Sequence, residues 1–135
     1  MIPKFRAWSK EREEMINECD LSITPDGSVL AGDLNYDEES SMLADVTDKV
    51  VITMSTGLKD KNGTEIYEGD IVEFKYPYDK RIKTKGIIVW NDNKACFGIS
   101  MKETTEQYEL YRITTENYLT VIGNVHQHPH LLGDK

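Results

Sequence analysis

Cysteine is scarce: Cys19 and Cys96 are the only two in 135 residues. Small secreted scaffolds usually carry a denser disulfide framework, so an export-type cross-linked fold is disfavoured. With no CxxC spacing, the two read as reduced thiols of a cytosolic protein. Long apolar runs are missing too. None approaches the roughly 18 residues that span a bilayer, and the opening MIPKFRAWSK lacks the apolar core of a signal peptide. The expectation is a cytoplasmic protein with no membrane partner. Positive charge is in deficit, with 16 Lys and Arg against 24 Asp and Glu, for a net charge of -8. Global attraction to a polyanion is thereby disfavoured, because nucleic-acid affinity draws largely on cations that neutralise phosphates. No Ser-His-Asp or Cys-His order and no phosphate-cradling glycine loop occurs. No catalytic residue and no cofactor is expected.

What remains is a globular composition, 39% hydrophobic and 30% charged, of a length suited to one domain, residues 1–135, with one modest core. Gly and Pro punctuate the chain and β-branched runs lie between them, which favours strands. Strands are expected at Ile2 to Trp8 and near Met15 to Cys19, and Pro25-Asp26-Gly27 marks a turn between Ile23 and Val29. The acidic stretch from Gly32 to Asp48 reads as a solvated loop, with one helical turn near Ser41 to Ala44. From Lys49 the strands sharpen: Val50 to Met54, Ile71 to Tyr76, Gly86 to Trp90, Ala95 to Met101 and Tyr118 to Val125. GIIVW is apolar on both faces, hence central, and Trp8 and Trp90 read as core or interface aromatics. Thr104 to Asn117 fits neither the strand nor the helix period. Short strands with tight turns suggest an all-β, SH3-like small barrel over 49–135, with Gly69 and Gly86 at its corners.

Three stretches carry candidate chemistry. TGLKDKNGTEIYEGDIVEF, Thr56 to Phe74, crowds Asp60, Asn62, Gly63, Glu65, Glu68 and Asp70 together. Calcium fails: with Gly63 at the sixth position of an EF-hand loop, Leu58 falls at the first and Gly69 at the twelfth, where carboxylates are required. Asp60 to Gly63 is hairpin chemistry instead, and Asp70 suits a corner where its side chain accepts backbone N–H groups. An enzyme using Glu65, Glu68 or Asp70 needs those carboxylates in one cleft with unlike environments.

The second stretch, Lys75 to Lys85 (KYPYDKRIKTK), interleaves Lys75, Lys80, Arg81, Lys83 and Lys85 with Tyr76 and Tyr78, the composition of a single-strand-binding loop. The third is His126, His128 and His130. Alternation on a strand would converge three imidazoles on a metal, but Pro129 breaks such a strand.

KFRAW at Lys4 to Trp8, TGLKDKNGTEIYEGDIV at Thr56 to Val72, GIIVW at Gly86 to Trp90, and VIGNV followed by Pro and Leu-Leu within Val121 to Leu132 resemble the YopX family, in order and over nearly the whole chain. The resemblance implies a phage or prophage protein with an SH3-like β-barrel portion and an added N-terminal β subdomain over 1–48, and it implies no established enzymatic activity. Ser9 departs from the Asp usual after the Trp, and the HQHPH segment departs from an acidic, Asn-Pro-containing one. The expected function is a non-catalytic module binding a protein partner or forming a homo-oligomer. The alternatives are nucleic-acid binding through Lys75 to Lys85 and an enzyme using Glu65, Glu68 and Asp70.

Overall fold

The computed structural model describes residues 4–16, 21–31, 44–75, 83–101 and 107–132. The chain divides into two compact units, Arg6–Ile52 and a larger one comprising Thr53–Lys135 with the first residues through Phe5. Both are built from antiparallel strands, so the all-β expectation holds.

In the smaller unit, β1 (Phe5–Ser9) pairs with β2 (Glu14–Ile16) through Ala7–Ile16 and Ser9–Glu14 rungs. The charged segment between them is a turn. Ser9 Oγ accepts the Arg12 N–H at 3.1 Å, so the hydroxyl closes that turn and caps no helix. A second sheet orders β3 (Leu21–Ile23), β4 (Val29–Ala31) and β5 (Ala44–Asp45). Its Pro-Asp-Gly turn is closed by Asp26 Oδ1, which accepts the Ser28 N–H and the Thr24 hydroxyl. Ala7, Val29 and Val50 form the buried cluster of this unit, flanked by Ile16, Leu21, Val46 and Ile52. Ala44 begins a strand, contrary to the helical turn expected near it; the rest of that turn, and most of the acidic 32–48 stretch, lies outside the described residues.

In the larger unit, β6 (Val50–Lys59) enters from the smaller one and turns into β7 (Glu65–Tyr67). The strand outruns its expected end at Met54. Gly57, at φ +80°, absorbs the register shift between the Ser55–Tyr67 and Lys59–Glu65 rungs. A five-stranded sheet follows, ordered β11 (Gln107–Glu109), β10 (Cys96–Met101), β9 (Lys83–Asn91), β8 (Asp70–Lys75), β12 (Leu119–Asn124). GIIVW therefore does lie in the central strand. Helix α1 (Arg112–Tyr118) leads into β12, and a 3₁₀ turn spans Pro129–Leu132. Ile66, Val72, Ile88, Ile99 and Leu119 form the core of this unit. Gly86 sits in that layer for lack of space: an added Cβ would lie 2.7 Å from Ile99 Cγ1.

Candidate functional site

The acid-rich stretch is a turn and a corner. Asp60 is 3% exposed, and Oδ1 accepts the N–H groups of Asn62 and Thr64, each at 2.9 Å. Gly63 adopts φ +86°, the left-handed conformation that closes the hairpin. Four residues past Glu65, Gly69 makes the next bend at φ +87° and donates its N–H to Ile88 O, while its own carbonyl accepts Val125 N–H. Asp70, 1% exposed, accepts the Tyr67 N–H at 2.8 Å. Burying a carboxylate without partners is costly, and backbone donors are what makes these two positions tolerable.

Glu65 is placed differently. Ser55 Oγ donates to its Oε2 at 2.5 Å, and Lys4 Nζ lies 3.3 Å from Oε1. The Ser55 hydroxyl above all, with Lys4 and Lys59 assisting, holds the Glu65 carboxyl below its ordinary range. Asp60, Asp70 and Glu65 are thus engaged separately, two by backbone N–H groups and one by a hydroxyl and an ammonium.

The histidines lie on a turn and the 3₁₀ segment that follows, so strand alternation does not converge them. His128 Nδ1 accepts the Asn124 N–H at 3.2 Å, and its ring stands edge-on to His130 with centroids 6.0 Å apart. Asn124 Oδ1 accepts the N–H groups of His126 and Gln127, which shapes the turn. No group of three or more His, Cys, Asp or Glu able to share an ion occurs among the described residues. Of the two cysteines, Cys96 is a free, half-buried thiol and Cys19 lies outside the described residues.

Of the basic stretch, Tyr76, Tyr78, Lys80 and Arg81 lie outside the described residues. Its anchors are described: Lys75 pairs with Lys83 at the end of the β8–β9 ladder, next to the Phe74–Thr84 rung. Lys85 is committed elsewhere, donating to Leu131 O at 3.0 Å.

A cleft of about 620 Å³ opens in the larger unit, floored by Phe74, Ile99 and Met101 and walled by Tyr108 and Tyr111. Strand pairing explains the floor. Phe74 lies opposite Thr84 and Ile99 opposite Tyr108, so one face of the sheet carries all four, continuous with the core residues Ile88 and Leu119. The core fills one part of this concave face and the cleft is the rest. At one end stand Glu109 and Lys94, 3.4 Å apart. The Tyr111 hydroxyl donates to Glu109 Oε2. That hydrogen bond, then Lys94, keeps the Glu109 carboxyl below its ordinary range, and the same bond raises the Tyr111 phenol. The size lies within the roughly 300–1,000 Å³ usual for ligand pockets.

Trp90 sits at the far end of β9. It is 45% exposed and meets Phe97 edge-on at 5.1 Å, so it is no core residue. Tyr108, Tyr111 and Ile113, the last 73% exposed, complete the large apolar side chains open to solvent among the described residues of this unit.

Among solved structures, protein EF1440 from Enterococcus faecalis is similar over 98% of this chain and 99% of its own, at 26% identity and a TM-score of 0.69. The yopX protein from Bacillus subtilis shares the fold over 96% of this chain and 97% of its own, at 22% identity and a TM-score of 0.63. No curated protein matches the chain. No helix among the described residues is long and apolar enough to cross a membrane. The family model described as YopX protein matches residues 4–133, and the chain belongs to the YopX family.

Proposed function

We propose that this protein is a non-catalytic interaction module, a phage or prophage accessory protein working in the bacterial cytoplasm, that docks a protein partner or further copies of itself. The observation that carries this reading is the exposed apolar set on β9, β11, the N-cap of α1 and α1 itself: Trp90, Tyr108, Tyr111 and Ile113. Aromatic residues left in solvent beside a cleft mark interaction surfaces more often than chance scatter does. The fate of the acids supports the non-catalytic half. Asp60 and Asp70 accept backbone N–H groups, and Glu65 is taken up by Ser55 and Lys4.

Light scattering tests self-association. A mass well above 15.5 kDa that falls to the monomer in Ile113→Glu supports it. A monomer at every concentration leaves only a different protein as partner.

A second reading, nucleic-acid binding by the Lys75 to Lys85 stretch, is favoured by one placement. The rung next to the one at which that stretch leaves and rejoins the sheet, Phe74–Thr84, lines the same cleft as Tyr108 and Tyr111. It requires a gel shift that weakens with salt and with charge reversal at Lys80 and Arg81; no shift at low salt removes it.

A further inference from the structure

The cleft is an apolar trough with a charged end. Ile99 and Met101 on β10 give it a hydrocarbon floor, and Tyr108 and Tyr111 offer ring surface above it. Glu109 stands at the end as a fixed anion, oriented by the Tyr111 hydroxyl. This is the complement of a long amphipathic cation. A methylene stem lies along apolar surface while its charged head reaches an acid. A planar guanidinium adds stacking on phenol rings and a two-pronged approach to a carboxylate, neither of which a lysine ammonium offers.

Lys94 is the competitor. Its ammonium is 3.4 Å from Glu109 Oε1, but both side chains are more than a third exposed. Such surface pairs contribute little and exchange readily, so a chelating guanidinium displaces it. The net charge of -8 also favours a basic partner over an acidic one.

We propose that the cleft bounded by β10, β11 and α1 receives an arginine side chain of a basic protein partner, its stem on Ile99 and Met101 and its guanidinium between Glu109 and the Tyr108 and Tyr111 rings. This deepens, and rests on, the interaction-module reading by naming what the partner presents.

The test is an NMR titration of the isotope-labelled full chain with three capped tripeptides, acetyl-Gly-X-Gly-amide, where X is arginine, lysine or norleucine. Saturable shifts of the amides of Ile99, Met101 and 107–111 are expected with arginine at millimolar concentration, several-fold weaker with lysine and absent with norleucine. Glu109→Gln should weaken the arginine peptide about tenfold, as expected for loss of a charge-assisted hydrogen bond. Lys94→Ala should tighten it, because the competing ammonium is gone. That gain of binding is a result that a misfolded variant cannot give.

Equal shifts with norleucine would overturn the arginine assignment while leaving an apolar docking cleft. Binding unchanged in Glu109→Gln, or no shifts with any peptide, would also overturn it, whereas a mass above the monomer that falls in Ile113→Glu would leave self-association standing. Shifts of the same amides with an oligothymidylate, and none with the arginine peptide, would give the cleft to nucleic acid.

Discussion

The Asp60 carboxylate spans 61 residues of chain: its Oδ2 accepts the Val121 N–H at 2.9 Å while Oδ1 holds the Asn62 and Thr64 N–H groups. One buried side chain therefore closes the hairpin and ties it to β12. The neighbouring Lys61 N–H, bonded to Leu119 O at 3.1 Å, doubles the tie.

Asp60→Ala should destabilise the protein by about 2–4 kcal/mol, since it leaves three N–H groups in search of partners. Asp60→Asn keeps one acceptor oxygen and should cost about half as much. Denaturant midpoints at unchanged m-value check both. A loss below about 0.5 kcal/mol for the alanine variant would show that water replaces the carboxylate.

Much of this corner is legible in the sequence because its chemistry is local. Asp before Asn-Gly closes a hairpin through its own next few amides, and Gly69 announces a bend whatever surrounds it. The tie from Asp60 to Val121 is not local, and no spacing rule points to it. The cleft is hidden for a related reason. Between Thr104 and Asn117 the chain spends three residues in β11 and six of the seven of α1, too few for either period to show. Tyr108 faces the cleft because it pairs with Ile99, a fact of sheet register. Trp90 reads as a core or interface aromatic by composition, and its place at a strand end beside the Asn91 turn leaves it exposed.

Gly86 tests how tightly the larger core is packed. An alanine methyl would meet Ile99 Cγ1 at 2.7 Å and Cδ1 at 2.9 Å, so Ile99 must shift. Gly86→Ala should cost about 1–3 kcal/mol by overpacking, and Ile99→Ala about 2–5 kcal/mol by leaving a cavity. In the double variant the new methyl occupies part of that cavity, so its cost should fall short of the sum by about 1 kcal/mol. Strict additivity would mean that the two positions do not share this space.

Acid should act through Glu65. Its carboxyl is held below the ordinary 4.5, first by the Ser55 hydroxyl and then by Lys4. The folded state thus favours the ionised form, and the unfolded chain takes up its proton first as pH falls. The stabilisation is complete above the ordinary carboxylate range and is lost as pH drops through it to the lower folded value. Ser55→Ala should flatten this part of the stability–pH curve and raise the Glu65 midpoint seen by carboxyl NMR. An unmoved midpoint would assign the shift to Lys4 instead.

Alkali should report on the cleft through Tyr111, whose phenol is raised above 10.0 by its hydrogen bond to Glu109 and then by that carboxylate's charge. Protonated Tyr111 is the donor in this bond, so the folded state resists losing the proton. The contribution is present below the ordinary phenol value and disappears as pH rises through the higher folded one. Ultraviolet difference titration should therefore show one of the tyrosines ionising late. Glu109→Gln should bring it back toward the ordinary value by removing the charge, whereas Lys94→Ala should leave it late, because the hydroxyl still donates to an anion. If Glu109→Gln leaves the late tyrosine in place, the Tyr111–Glu109 bond is not what orients the acid at the end of the cleft.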